Sequence, residues 1–232
     1  MLEQLLFFEK DLFFLLNGSD SVFLDHFFWL YSYKWTWLPF YACFLFVFIY
    51  KKNWKEIIFV LLAVTLVILL CDQIASGFFK PVFQRFRPTH HPDFQEHLDL
   101  VFGYKGGGRY GFISSHAANA FGFATFTSLL FRNKFFVVTM MIFAIINGYS
   151  RVYLGVHFIS DVVVGSLVGI LVGYVVYKGY NAARYYFLSM RKGDLKKPIY
   201  SLKQTYWLCG AYYIWVAIFM LFNTQLIDFI RN

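Results

Sequence analysis

Lys80, Arg87, His116, Arg151, His157 and Asp161 are the residues of this sequence whose types can carry chemistry together. They fall in three blocks: Lys80-Pro-Val-Phe-Gln-Arg-Phe-Arg87-Pro88, Ile113-Ser114-Ser115-His116, and Ser150-Arg151-x5-His157-x3-Asp161. Together the blocks hold the groups needed to transfer a phosphoryl group. A phosphate monoester carries nearly two charges, and its transition state spreads charge over three equatorial oxygens. Lys80, Arg87 and Arg151 can neutralise it, the arginines as bidentate forks and the lysine as a point charge. Ser114 and Ser115 open a helix, whose free backbone N–H groups suit an anion. A neutral nitrogen of His157 can attack phosphorus in line. Asp161, four residues on, fixes the ring tautomer and stabilises the charge that forms. His116 then protonates the departing oxygen, and water cleaves the phosphohistidine. No carboxylate cluster suited to Mg²⁺ accompanies these blocks, so no metal or other cofactor is expected.

Each block has a plainer explanation when taken alone. Lys80 and Arg87 can anchor a helix end by snorkelling. His116 can be a helix-start histidine with a satisfied ring, and the His157–Asp161 pair can be structural. Their convergence on one membrane face favours the chemical reading.

That convergence depends on helices that cross a bilayer. Hydrophobic residues make up 59% of the 232 and charged residues 15%, which sets the chain apart from soluble domains. A span needs about 20 apolar residues in helical form. Six crossings are expected, around residues 29–50, 56–79, 116–131, 135–150, 158–178 and 206–228. Residues 2–16 alternate apolar pairs with Glu3, Glu9, Lys10 and Asp11, a pattern that suits a helix lying in the interface. Asn17-Gly18 then turns the chain, and a second short helix is expected around Ser21 to Tyr31. The N-terminal stretch has acidic residues and neither a basic start nor a small-residue cleavage site, so no cleavable signal is expected. The fold class is therefore all-α, a single integral membrane bundle over residues 1–232 with an N-terminal interfacial helix.

The loop at 80–115 and the link at 150–157 are separated by an even number of crossings, so both fall on one side. The opposite links hold Lys51, Lys52, Lys55, Arg132, Lys134, Lys178, Arg184, Arg191, Lys192, Lys196, Lys197 and Lys203, twelve of the 21 basic residues. The positive-inside rule places the functional links outside the cytoplasm. In this setting the net charge of +8 suits bilayer orientation and anionic head groups, and nucleic acid is not expected as a partner. Cys43, Cys71 and Cys209 all sit in apolar segments and read as small hydrophobes.

The three blocks resemble the motifs of the type 2 phosphatidic acid phosphatase superfamily of membrane lipid phosphatases, which is related to vanadium haloperoxidases. Those motifs are K-x6-R-P, P-S-G-H and S-R-x5-H-x3-D, and all three occur in order, over a core of about residues 28–178. An extra membrane helix follows at about 206–228. The resemblance implies catalytic roles for His157, His116 and Asp161, and phosphate contact by Lys80, Arg87, Ser114, Ser115 and Arg151. The second motif departs from the pattern, with Ile113 in place of proline and Ser115 in place of glycine. The implied substrates are phosphatidic acid, phosphatidylglycerol phosphate, undecaprenyl pyrophosphate and the phosphates of lipid A. Lipid A leads by similarity to small bacterial members, and undecaprenyl pyrophosphate follows. The resemblance implies the cytoplasmic membrane of a bacterium, and the charge bias turns the site toward the periplasm or cell exterior. A transporter or scaffold that binds anionic lipid without turnover is the competing class. It would keep the cations and lose a histidine, and both histidines are present.

Other features stay open. Asp72, on one face with residues 76 and 80, is functional or structural, with Asn147 as a bonding partner. His90 and His91 resemble a metal pair without further ligand spacing. Gly106 to Gly108, flanked by Lys105 and Arg109, suit an anion loop or a flexible hinge.

Overall fold

The protein is described here by a computed structural model covering residues 2–191, 193, 195 and 197–231; Lys192 and Lys196 lie outside the described residues. Every regular element among those residues is helical. In chain order they are α1 (Leu2–Leu16), α2 (Val22–Ser32), a 3-10 turn (Lys34–Trp37), α3 (Leu38–Ile49) and α4 (Trp54–Asp72). A π-helical segment (Gln73–Phe79) leads into α5 (Lys80–Phe83). Two further 3-10 turns (Pro88–His90 and Val101–Gly103) precede α6 (Ser115–Phe131), which is followed by α7 (Lys134–Tyr153), α8 (Ile159–Phe187), α9 (Leu202–Leu221) and α10 (Asn223–Arg231).

Local signals set several starts. Asn53, Ser114 and Asn133 cap α4, α6 and α7 by accepting from backbone N–H groups in the first turn, and Ser201 with Gln204 forms a capping box on α9.

Among the described residues, three helical runs are long and apolar enough to cross a membrane: Trp54–Phe83, Lys134–Tyr153 and Ile159–Phe187. The pair α9–α10 makes a fourth if counted as one span, although it is bent by 82°. The boundaries differ from the sequence expectation for physical reasons. The first expected crossing is split, because the backbone is extended at Tyr33 and the helix restarts with Pro39 in the first turn of α3. The sixth turns sharply at Phe222, where the apolar α9 gives way to the more polar α10, and a change in polarity sets no angle. The fifth continues to Phe187 past Lys178 and Arg184, since charge marks a membrane edge without ending a helix.

α6 is the central helix, buried on most of its circumference. Its contact with α8 is set by glycines. A Cβ at Gly165, Gly169 or Gly173 would lie 2.6, 2.2 or 2.5 Å from the carbonyl oxygens of Ser114, Ala118 and Gly122. Only hydrogen fits there, so the two backbones approach closely, as at small-residue stripes in membrane helices. This contact holds the start of α6 against the start of α8. The outer faces stay apolar and exposed, for example Leu62 and Leu69 on α4 and Leu167 and Leu171 on α8.

α1 docks on this end of the bundle. Leu6 and Phe13 are buried, and Phe13 packs on Phe94 and Phe158. Its other face leaves Phe7, Phe8 and Leu15 exposed.

Candidate active site

The loop before α6 supplies the first cations. Phe86 bridges Tyr110 in antiparallel fashion: the Arg87 N–H donates to Arg109 O (3.0 Å) and the Gly111 N–H to Arg85 O (2.8 Å). Extended backbone places alternate side chains on one side. Arg85 and Arg87 therefore both point inward, and both are buried.

Each guanidinium nitrogen of Arg87 has a partner. Its Nε and Nη2 donate to the carbonyls of Gly108 and Gly107 (both 2.9 Å), and Nη1 donates to Val156 O (2.9 Å) and to His157 Nε2 (2.8 Å). The glycine run is thus neither the anion loop nor the bare hinge read from sequence. It is a carbonyl cradle for a guanidinium.

That contact fixes the tautomer of His157. Arginine offers donors only. Nε2 therefore presents its lone pair, and Nδ1 carries the proton of the neutral ring, donating to Asp161 Oδ2 at 3.3 Å. The same oxygen accepts from the Phe158 N–H at 3.0 Å, and Oδ1 accepts from Arg85 Nη1 at 3.1 Å. Burial, and then the charges of Arg87 and Arg151, hold His157 well below the usual histidine range. A buried, neutral imidazole with its Nε2 lone pair unprotonated is the form a nucleophile needs, and here that lone pair accepts from Arg87.

The start of α6 forms the opposite wall. Ser114 is fully buried and already committed: its Oγ accepts from the Ala117 N–H (3.4 Å), and its N–H donates to Asp161 O (3.0 Å). Its hydroxyl caps the helix rather than facing the pocket. Ser115 has a different use. Lys80 Nζ donates to Ser115 Oγ (2.8 Å) and to Ser76 Oγ (3.0 Å), and the two hydroxyls are 3.1 Å apart. The hydroxyl that replaces the motif's glycine therefore holds the lysine of the first block. His116 follows, and its imidazole makes no hydrogen bond among the described residues.

Arg151 sits in the last turn of α7, within the helix rather than in the link expected from sequence. Its Nη1 donates to Ser32 Oγ and its Nη2 to Tyr104 OH (3.2 Å). Lys80, Arg87, Arg151 and His116 all lie near enough to His157 for their charges to disfavour its protonation. Asp72 accepts from Ser76 Oγ (3.4 Å) rather than from Asn147, so residues 72, 76 and 80 do share a face. His90 Nδ1 pairs with Thr89 Oγ1, and the Asp93 N–H donates to His91 Nδ1.

A cavity of about 620 Å³ opens beside His116 between α3, α4, α6 and α7. Tyr41, Leu45, Val64 and Ile68 line its apolar length, while Asp72, Asn119 and Asn147 make its end polar. Tyr41, Leu45 and Ile68 are exposed on the bundle's side, so the cavity faces where lipid would lie.

Residues missed from sequence are Arg85, Glu9, Ser160, Ser76 and Tyr104. The Arg-x-Arg spacing is a usable sign for Arg85, because an extended segment turns both side chains the same way. Nothing local marks Glu9.

Known proteins resemble this chain in sequence and in fold. The chain is 50% identical over 183 residues to the lipid A 4'-phosphatase of Porphyromonas gingivalis, covering 79% of this chain and 77% of that one. It is 33% identical over 177 residues to the lipid A 4'-phosphatase of Bacteroides thetaiotaomicron, covering 76% and 79%. Its fold matches a crystal structure of Aquifex aeolicus LpxE with a TM-score of 0.55 at 27% identity, covering 74% of this chain and 95% of that chain. The family model of the PAP2 superfamily matches residues 59–185, a stretch that contains the Lys80–Arg87, Ser114–His116 and Arg151–Asp161 blocks, and the chain belongs to that superfamily.

Proposed function

We propose that the protein is a membrane phosphatase that removes the 4'-phosphate of lipid A through a phosphohistidine on His157, without a metal ion. The observation that carries this reading is the buried His157–Asp161 pair with Nε2 held as an acceptor, beside a lipid-facing cavity that His116 lines. The naming of the two relatives supports the substrate.

In the first step His157 Nε2 forms the bond to phosphorus as the P–O bond to the sugar breaks, and His116 gives the leaving oxygen its proton. Asp161 stabilises the imidazolium that results. Lys80, Arg87, Arg151 and the first-turn N–H groups of α6 take the charge of the phosphoryl oxygens. In the second step His116 removes a proton from water, which attacks phosphorus and releases inorganic phosphate and neutral His157. The substrate's acyl chains occupy the cavity between α3 and α4. A non-catalytic binder has no use for a histidine held in nucleophilic form.

We further propose six crossings, formed by α3, α4 through α5, α6, α7, α8 and α9, with α1 on the outer interface of the bacterial inner membrane and the site facing the periplasm. Lys52, Arg132 and Arg184 cluster at the end opposite the site, where cytoplasmic charge belongs. A single cysteine at Gly107, with Cys43, Cys71 and Cys209 replaced, then reacts with an impermeant thiol reagent in spheroplasts. Labelling only after lysis reverses the topology.

The function is tested by phosphate release from purified protein in EDTA, across lipid A, phosphatidic acid, phosphatidylglycerol phosphate and undecaprenyl pyrophosphate. Preference for lipid A with loss of the 4'-phosphate is expected. Activity that returns only with added Mg²⁺, or preference for another lipid, contradicts the reading.

A further inference from the structure

We propose that Arg85 and Glu9 are positioning residues that hold and tune Asp161, so that the N-terminal helix α1 takes part in setting the nucleophile. The inference rests on His157 as the nucleophile.

Asp161 uses one oxygen, Oδ2, for His157 and the Phe158 N–H. Its other oxygen has a partner of its own, Arg85 Nη1 at 3.1 Å. Arg85 also lies over the Phe158 ring, 4.5 Å from its centroid, which fixes the plane of the guanidinium. Arg85 Nη2 donates to Glu9 Oε1 at 2.6 Å, and Arg85 Nη1 donates to Ser160 Oγ at 2.6 Å. Glu9 closes the ring by accepting from Ser160 Oγ and from the Ser160 N–H, both at 2.8 Å. That N–H belongs to the first turn of α8, so Glu9 also caps the helix that carries Asp161.

The arrangement does two things. It removes rotational freedom from the carboxylate, because each oxygen has a fixed donor. It also sets the local charge. Asp161 is fully buried, and a buried carboxylate needs a cation to stay ionised. Arg85 supplies it, and Glu9 draws part of that charge away. The other charged group on this side is Arg87, from the same extended segment as Arg85, and the neutral His157 is the titratable neighbour. His116 on α6, Arg151 on α7 and Lys80 at the start of α5 face His157.

The signs are therefore opposite for the two residues. Glu9→Gln leaves all of Arg85 to Asp161, so the carboxylate and the His157 lone pair survive to lower pH. Arg85→Gln removes the cation, so both are protonated at higher pH. The measurement is the pH profile of kcat/KM on the preferred lipid phosphate, with vanadate affinity as a check on the phosphate pocket. The acid limb is expected to move down in Glu9→Gln and up in Arg85→Gln. Arg85→Gln should lose tenfold or more in kcat with little change in vanadate affinity, and Arg85→Lys should recover part of it. If Arg85→Gln does not fold, the Glu9→Gln limb decides alone. Active variants with unmoved limbs, or limbs that move together, overturn the inference and leave His157 as nucleophile. Wild-type protein that releases no phosphate from any lipid overturns the functional reading and this inference with it.

Discussion

Arg87 Nη1 lies 2.8 Å from His157 Nε2, covering the lone pair that the proposed mechanism directs at phosphorus. The same guanidinium is held by the carbonyls of Gly107 and Gly108. A substrate phosphate offers that arginine charged acceptors in place of a neutral nitrogen, and charge-assisted bonds are roughly twice as strong. In the proposed mechanism, arrival of substrate therefore releases His157 Nε2 and moves the cation onto the group to be transferred.

The first prediction concerns pH. Protonation of Nε2 destroys the nucleophile, so activity is lost as pH falls through the protonation of His157. Burial, Arg87 and Arg151 hold that event well below the usual value of about 6.5. The acid limb of the kcat/KM profile, which reports His157, should lie below pH 6.5. Arg87→Gln removes one of the two neighbouring guanidiniums, so its acid limb should sit at higher pH than that of wild type. A wild-type limb near 6.5, unmoved by Arg87→Gln, counts against this electrostatic account.

The second separates the two histidines. General acid help is worth about 10²–10⁴-fold when the leaving group is poor. His116→Ala should lose activity of that order on a lipid phosphate and far less on a nitrophenyl phosphate, whose phenolate leaves unaided. Equal losses on both would make His116 a phosphate ligand.

The third tests the Ser115–Lys80 contact. Ser115→Gly, which restores the usual motif residue, removes one anchor of the lysine. A hydrogen bond to a charged group is worth about 1.5–3 kcal/mol, so a loss of about tenfold or more in kcat/KM is expected. Lys80→Gln should cost more, and adding Ser115→Gly to Lys80→Gln should cost little further, since both act through one contact. Additive losses would show that the two residues act separately.

The fourth probes the packing that brings α6 to α8. Gly169→Ala puts a methyl 2.2 Å from Ala118 O, whereas a methyl at Gly179 meets nothing within 4 Å. Overpacking costs about 1–3 kcal/mol. Gly169→Ala should lower the thermal midpoint in detergent and cut activity, while Gly179→Ala should do neither. Equal midpoints for the two variants would refute the close helix contact.

Much of this site is legible in the sequence, and its limits have a physical reason. His157 and Asp161 lie at i and i+4 around the first turn of α8, and short spacing of that kind fixes a distance whatever the rest of the chain does. The Arg85–Glu9 contact spans 76 residues and the Arg151–Ser32 contact 119, so both arise only when α1 and α2 have packed on α7 and α8. Helices are similarly legible as apolar lengths, while their breaks are not. The restart at Pro39 and the bend at Phe222 are backbone turns whose angles no apolar length fixes, and the continuation of α8 past Lys178 runs against a charge that suggested an end. The role of Ser115 could be read only as a departure from a motif; that its hydroxyl holds Lys80 depends on the π-helical turn before α5.

The central claim is that His157 bonds to phosphorus. Protein mixed with ³²P-labelled substrate, quenched in alkali within a turnover, should carry acid-labile label that mass spectrometry maps to His157. His116→Ala with a nitrophenyl ester should accumulate more of it, because the second step loses its base. His157→Ala should carry no label and release no phosphate, yet still bind vanadate through Lys80, Arg87 and Arg151. Label on another residue, or phosphate release by His157→Ala at a rate near wild type, would contradict the account.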